Sequence, residues 1–153
     1  MQDKIGWIGL GSMGNRMAKN LAKKGYQMLV ADKMDTSAAP QSAHVATTNS
    51  EVISEANILI LSIPAGPDTL EITQEILNSP SSSVEIVIDT STIGIPDAKQ
   101  AAELLSKKGI EYVDAPVSGG IAGADSATLA VMVGCKADIF EKVQPILKCI
   151  GAN

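Results

Sequence analysis

Residues 4–25, KIGWIGLGSMGNRMAKNLAKKG, decide the fold. The stretch opens with a short apolar run that is typical of a buried strand. It continues with apolar side chains four residues apart, at Met13, Met17 and Leu21, a spacing that predicts a helix with one apolar face. We expect this helix to end at Gly25, because glycine readily adopts the left-handed backbone that follows a last helical turn.

Three glycines join the predicted strand to the predicted helix. Gly9, Gly11 and Gly14 have the spacing G-x-G-x-x-G, which between a strand and a helix predicts a dinucleotide-binding loop. We expect Gly9 to make the tight turn, Gly11 to let a pyrophosphate approach the backbone, and Gly14 to let helix and strand pack closely. The same predicted cofactor-binding loop contains Leu10, Ser12 and Met13. The alternative is a turn whose glycines serve packing alone.

An acidic residue ends the next apolar run, QMLVAD (27–32). Asp32 follows Gly14 by 18 residues, close to the spacing at which a carboxylate accepts a hydrogen bond from a ribose hydroxyl. A carboxylate there also repels a 2′-phosphate, so NAD is favoured over NADP as the cofactor. Lys33 weakens that preference, because a cation at this position could meet a 2′-phosphate.

Short apolar runs alternate with amphipathic segments along the rest of the chain. The predicted strands are 4–9, 27–32, 56–64, 84–91, 110–116 and 127–134, and the predicted helices are 12–25, 67–78, 96–108 and 136–149. This alternation predicts a Rossmann-like α/β fold, in which a doubly wound, mostly parallel sheet carries helices on both faces. We expect residues 1–153 to form one dinucleotide-binding domain. Between residues 33 and 50 the pattern is weak, and only a short strand near His44 is expected.

Charge and hydropathy exclude several classes of partner. The chain has 12 Lys and Arg against 17 Asp and Glu, for a formal net charge of −5, so nucleic-acid binding is not expected. The pairs Lys23-Lys24 and Lys107-Lys108 each precede a glycine, where they suit the negative end of a helix dipole. No run of about 18 apolar residues occurs, so no membrane span is expected.

The two cysteines and the single histidine predict no metal site. Cys135 and Cys149 are too few for a disulfide framework, and their spacing fits no zinc motif. We expect both to be reduced packing residues of a cytoplasmic protein; a mitochondrial matrix location stays open if a transit peptide was removed. His44 is expected at the surface or at a strand edge, with no carboxylate partner indicated nearby.

The segment YVDAPVSGG, residues 112–120, contains a second glycine cluster. A turn needs at most one glycine, yet here Gly119 and Gly120 both follow Ser118. Two residues without side chains beside one hydroxyl indicate that a small ligand comes close. The alternative is that these glycines only turn the chain toward the next element.

Three stretches together resemble the β-hydroxyacid dehydrogenase family, which includes 3-hydroxyisobutyrate dehydrogenases and, more distantly, 6-phosphogluconate dehydrogenase. They are IGWIGLGSMGNRMAKNLAKKGY (5–26), DTSTI (89–93) and DAPVSGGIAGADSATLAVMVG (114–134). The resemblance implies that residues 9–14 hold the pyrophosphate and that Asp32 holds the adenosine ribose. It further places Ile63, Pro64, Asp68 and Thr92 beside the cofactor, and Ser118, Gly119 and Gly120 at the substrate.

The resemblance implies hydride transfer between a 3-hydroxy acid and NAD. A stand-alone NAD(H)-binding module and an NADPH-dependent aldehyde-acid reductase are the alternatives. The family's catalytic lysine belongs to a later helical domain that this sequence lacks, and Lys136, Lys142 and Lys148 do not match it. We therefore expect no catalytic residue in this chain, slow or no turnover by the chain alone, and self-association through the face that the later domain would cover.

Overall fold

A computed structural model describes residues 2–152, which form a six-stranded parallel sheet with helices on both faces. The elements in chain order are β1 (Ile5–Ile8), α1 (Gly14–Lys23), β2 (Met28–Ala31), β3 (His44–Val45), α2 (Asn49–Glu55), β4 (Ile58–Leu61), α3 (Gly66–Asn78), β5 (Ile86–Asp89), α4 (Ile95–Ser106), β6 (Glu111–Asp114), β7 (Val117–Ser118), α5 (Gly120–Ser126), β8 (Ala130–Val131) and α6 (Ala137–Leu147). The predicted Rossmann-like fold is confirmed.

The strand order β3-β2-β1-β4-β5-β6 fixes where a ligand can bind. The chain moves outward from β1 through β2 to β3, and then returns to place β4 on the other side of β1. The two connections that leave β1 and β4 therefore diverge, and they open a crevice at the carboxyl ends of these strands. The glycine loop follows β1 and enters that crevice.

Two apolar cores cover the sheet. On one face Met17 of α1 and Ile146 of α6 pack with Trp7 of β1. On the other face Val52 of α2 and Leu105 of α4 belong to the second core, together with α3. Because β1 and β4 are buried at every position, they read as continuous apolar runs in the sequence.

The end of α1 matches the sequence prediction. Gly25 has φ +90°, and its N–H donates to the carbonyl of Ala22 at 3.0 Å. The N–H of Tyr26 donates to the carbonyl of Leu21 at 3.3 Å, which completes a glycine-ended helix cap.

Two helices, α2 and α5, were not predicted. The start of α2 had a sequence signal, because Thr48 and Glu51 have the spacing of a capping box. The N–H of Glu51 donates to Thr48 Oγ1 at 3.2 Å, and the Glu51 carboxylate accepts from the N–H of Thr47 at 2.9 Å. α5 lacked such a signal, since it is seven residues long and begins with glycine.

Other details of the sequence reading need correction. The predicted strand 127–134 forms only the two-residue strand β8, antiparallel to β7, and its one bridge to the main sheet joins Gly134 to Asp114 of β6. Cys149 is buried as expected, but Cys135 is exposed and does not serve packing. His44 is exposed on edge strand β3 as predicted, yet its Nε2 lies 3.4 Å from Glu51 Oε1, a carboxylate that the sequence reading missed. No helix in the described part of the chain has the length and apolar character needed to cross a bilayer.

Candidate dinucleotide-binding site

The crevice holds a cavity of about 630 Å³ at the carboxyl ends of β1, β2 and β4. The whole predicted glycine loop lines it, as do Asp32 and Lys33, the residues predicted to distinguish a ribose hydroxyl from a 2′-phosphate. Its lining consists of residues 8–16 and 32–35 with Asn49, Ser62, Ile63, Pro64, Asp68, Glu71, Ile72 and Glu75. Of the predicted cofactor-binding residues, all except Thr92 therefore lie around one cavity.

Gly9 makes the tight turn at the end of β1. Its φ of +105° is strongly unfavourable for other residues, and a Cβ there would collide with the carbonyl of Ser62. Its N–H donates to the carbonyl of Ala31 at 3.0 Å, which ties the turn to β2.

Gly14 and Gly11 have different surroundings. A Cβ at Gly14 would overlap the carbonyl of Gly9, so the start of α1 packs directly on the turn. A Cβ at Gly11 would meet no atom within 4 Å, so this residue presents bare backbone to open space. These are the geometries that the spacing predicts for close packing and for close approach of a ligand; ligand binding itself stays a prediction.

A buried tryptophan bonds to the turn, and the sequence analysis did not identify this residue. Trp7 is fully buried, and its indole N–H donates to the carbonyl of Gly9 at 2.8 Å. Trp7 lies two residues before the first glycine of the motif, where an apolar strand residue was all that the pattern indicated.

Asp32 connects the glycine loop to the end of β2. Its Oδ2 accepts from the N–H of Leu10 at 2.7 Å, and its Oδ1 accepts from the N–H groups of Met34 at 2.7 Å and Asp35 at 3.1 Å. Partial burial acts to raise the pKa of Asp32, but these three N–H groups and the nearby Lys33 charge outweigh it, and the pKa is lowered. Asp32 is therefore a carboxylate at neutral pH.

Lys33 and Asp68 face each other across the cavity. Lys33 Nζ lies 3.5 Å from Asp68 Oδ1, and the pair joins the segment after β2 to the first turn of α3. Nearby, the N–H of Ile63 donates to Ser91 Oγ at 2.9 Å, which links the loop after β4 to the segment after β5.

A buried carboxylate at the end of β5 holds several of these segments together, and the sequence reading did not identify it. Asp89 is fully buried, and its Oδ2 accepts from Thr69 Oγ1 at 2.7 Å and from the Tyr112 hydroxyl at 3.0 Å. Its Oδ1 accepts from the N–H of Ser91 at 2.9 Å. Burial, followed by the Asp89 charge, raises the pKa of Tyr112, so that this hydroxyl remains a donor.

Thr92, which was predicted beside the cofactor, does not line the cavity, and neither do the predicted substrate residues Ser118, Gly119 and Gly120. Thr92 is exposed after β5, and Ser118 is exposed at the end of β7. Gly119 has φ +140° and Gly120 has φ +64°, so the pair turns the chain into α5. A Cβ at Gly119 would press on Leu129, whereas one at Gly120 would meet nothing within 4 Å. Packing thus explains why residue 119 is a glycine, whereas no packing contact explains the glycine at 120.

Helix α1 is fastened to α5, which follows these glycines. Asn20 is buried, and its Nδ2 donates to the carbonyl of Ala124 at 2.6 Å. One turn earlier, Arg16 Nε lies 2.8 Å from Asp125 Oδ1. The glycine loop and the predicted substrate segment therefore precede two helices that are bonded to each other.

None of the lysines in or beside α6, which are Lys136, Lys142 and Lys148, lines the cavity. Lys136 forms an ion pair with Glu111, which begins β6, and Lys142 Nζ lies 3.7 Å from Glu85, just before β5. The hydrogen bond and charge of Glu111 raise the pKa of Lys136, the opposite of what a basic catalyst at neutral pH requires. In residues 2–152 no cluster of three or more His, Cys, Asp or Glu could hold a metal ion.

A second, apolar groove of about 630 Å³ lies beside α6 and β8. Phe140 of α6 is 36% exposed and lines the groove, and nearby Met132 is 52% exposed, so this apolar surface is only partly covered. The groove is lined by Val131, Val133, Cys135, Ala137, Phe140, Gln144, Leu147, Lys148, Gly151 and Ala152.

Comparison with known proteins agrees with this geometry. The chain is 38% identical over 160 residues to 2-(hydroxymethyl)glutarate dehydrogenase of Eubacterium barkeri, covering 98% of this chain and 52% of that protein. It is 37% identical to mitochondrial 3-hydroxyisobutyrate dehydrogenase of Mus musculus, covering 97% of this chain and 46% of that protein. The structure of Mycobacterium tuberculosis 3-hydroxyisobutyrate dehydrogenase with L-serine matches 99% of this chain and 53% of that chain, with 30% identity and a TM-score of 0.87.

The chain spans about half the length of these relatives. Residues 4–153 match the family described as the NAD binding domain of 6-phosphogluconate dehydrogenase. The predicted resemblance to the β-hydroxyacid dehydrogenases is confirmed, and with it a nicotinamide dinucleotide as the class of cofactor. The chain belongs to the family of 6-phosphogluconate dehydrogenase NAD-binding domains.

Proposed function

We propose that this chain binds NAD(H) in the cavity after β1 and β4 and serves as the cofactor domain of a 3-hydroxyacid dehydrogenase. The proposal depends on a structural difference among the three glycines. Gly9 and Gly14 are required by the packing of the protein itself, whereas the bare backbone of Gly11 faces open space. That space fits a pyrophosphate at the start of α1, where backbone N–H groups and the helix dipole favour an anion.

The sugar end of the proposed site favours NAD over NADP. Asp32 is ionised, and the N–H groups that hold it fix the direction of its carboxylate. A ribose hydroxyl can donate to a carboxylate that still has a free lone pair, while a 2′-phosphate is repelled by the same charge. Ile63 and Pro64 also line the cavity, and Thr92, which does not line it, is proposed to approach the nicotinamide.

The proposed substrate is a small 3-hydroxy acid or the corresponding aldehyde acid. Relatives named for 3-hydroxyisobutyrate and 2-(hydroxymethyl)glutarate support this class. The nicotinamide supplies hydride exchange when bound. Ser118 and the open backbone of Gly120 are proposed to donate hydrogen bonds to the substrate carboxylate or hydroxyl.

We also propose that this chain alone oxidises a 3-hydroxy acid slowly or not at all. Among the described residues that line the cavity there is no histidine, and Lys33 is the one lysine. Lys33 lies at the ribose end, paired with Asp68, so it is not positioned to move the substrate proton. A positioned base contributes about 10²–10⁴-fold to such a reaction. Rapid NADH formation from NAD and a 3-hydroxy acid would contradict this part.

Equilibrium titration with NADH and with NADPH tests the binding proposal. We expect tighter binding of NADH, and we expect Asp32→Ala to abolish that preference. Asp35→Asn is the matched control, since it removes a neighbouring charge from the cavity lining but keeps the N–H that bonds to Asp32. If neither dinucleotide binds at millimolar concentration, the proposal is wrong. A preference for NADPH would instead favour the aldehyde-acid reductase.

Self-association through the apolar groove beside α6 remains part of the proposal. Exposed Phe140 and Met132 are consistent with a surface that another protein segment covers. Light scattering should give a mass above that of one chain at high concentration, and Phe140→Ser should reduce it. A clean monomer in both proteins argues against this surface as a contact between copies.

A further inference from the structure

Lys33, the cation next to Asp32, already forms an ion pair. Lys33 directly follows Asp32, where its ammonium could in principle neutralise a 2′-phosphate, yet its Nζ lies 3.5 Å from Asp68 Oδ1. We propose that Asp68 is a specificity-determining residue, which holds Lys33 away from a 2′-phosphate and thereby favours NAD over NADP. This inference rests on the proposed function of the cavity.

The two partners differ in exposure and in side-chain length. The Lys33 side chain is 70% exposed on a flexible four-carbon stem, whereas the Asp68 side chain is 27% exposed in the first turn of α3. The positive end of that helix dipole favours the Asp68 carboxylate as an anion. Asp68 is therefore the fixed partner, and its removal frees Lys33 to move toward another anion.

The other charges of the cavity give no substitute for Lys33. Arg16, the second cation of the lining, is engaged by Asp125 on α5 and by the carbonyl of Ser12. Against these two cations stand five carboxylates, at Asp32, Asp35, Asp68, Glu71 and Glu75. A bound 2′-phosphate would meet this acidic surface with its nearest cation already occupied.

Titration of four proteins with NADH and NADPH separates the contributions. The proteins are the wild type, Asp68→Asn, Lys33→Met and the double variant. We expect Asp68→Asn to raise the ratio of NADPH affinity to NADH affinity about tenfold. In the Lys33→Met background the same change should give a clearly smaller gain, because no ammonium remains to be released.

Glu71→Gln is the matched control for charge alone. Glu71 lines the same cavity from α3, and it forms no ion pair within residues 2–152. If Glu71→Gln raises NADPH affinity as much as Asp68→Asn does, the proposal is overturned in favour of general charge repulsion. The same holds if Asp68→Asn raises NADPH affinity equally with and without Lys33. Unchanged NADPH affinity in an Asp68→Asn protein that still binds NADH also overturns it. A wild type that binds neither dinucleotide overturns the proposed function as well, so the two failures are distinguishable.

Discussion

The carbonyl oxygen of Gly9 occupies the place where any other residue at position 14 would put its Cβ. The turn and the helix start are thus in direct backbone contact, and the third glycine of the motif serves the fold rather than the ligand. The second glycine, Gly11, has no such neighbour. The two positions should therefore respond differently to the same substitution.

Gly14→Ala is expected to destabilise the protein by about 1–3 kcal/mol, the usual cost of forcing an extra methyl group into a packed site. Gly11→Ala should leave the free energy of unfolding nearly unchanged but weaken NADH binding at least about tenfold, because its methyl group obstructs the approach of the pyrophosphate. Urea denaturation and NADH titration of both variants check this pair. Equal stability loss in the two variants would contradict the assignment.

Trp7→Phe should destabilise the turn while keeping an aromatic ring in the core. The change removes the N–H that donates to the Gly9 carbonyl. A buried carbonyl that loses its partner costs about 1–3 kcal/mol. Circular dichroism during denaturation measures the loss, since the variant has no tryptophan fluorescence. An unchanged unfolding midpoint, with unchanged NADH affinity, would show that the indole serves only as packing.

Asp89→Asn should be among the most harmful polar substitutions in the chain. An amide places its own donors where Thr69 and Tyr112 already donate, so at least one donor is left unpaired. We expect a loss of about 2–4 kcal/mol by urea denaturation. Tyr112→Phe, which deletes one donor and keeps the carboxylate, is the milder control. If Asp89→Asn is no worse than Tyr112→Phe, the carboxylate is not essential to the network.

Asp114→Asn should stabilise the protein at neutral pH. Burial raises the pKa of Asp114, and the charge of Asp89 on the neighbouring strand adds to the effect. With a folded pKa above the unfolded value, this group's contribution is favourable at low pH and is lost as pH rises through the folded pKa. The variant should therefore unfold at a higher midpoint than the wild type near pH 7, with the difference vanishing near about pH 3.

Asp32→Asn provides the opposite case in the same experiment. Its pKa is lowered in the folded protein despite partial burial, because three N–H groups bond to the carboxylate. The stability that Asp32 contributes is present above the unfolded pKa and is lost as pH falls through the folded pKa. Asp32→Asn should thus be less stable than the wild type near neutral pH. The same sign of change in both variants would contradict these two pKa directions.

The sequence predicted the sheet and the glycine loop because their signals are local. Runs such as ILIL in β4 are apolar at every position, and Gly9 to Gly14 follow a strand directly. Asp89 was missed because its partner Thr69 lies 20 positions away in the chain. Trp7 was missed because its bond to Gly9, although local, depends on the shape of the turn. The eight-residue run 127–134 looked like a strand of the sheet, but it pairs mainly with β7 and meets the sheet only at Gly134.

The bond between Asn20 and Ala124 has a mechanical consequence. α1 begins beside the space proposed for the phosphates, α5 begins at the segment proposed for the substrate, and a buried 2.6 Å bond locks one helix against the other. Together with the Arg16–Asp125 ion pair, this bond couples the two helices, so a displacement of α1 on ligand binding is expected to be transmitted to α5.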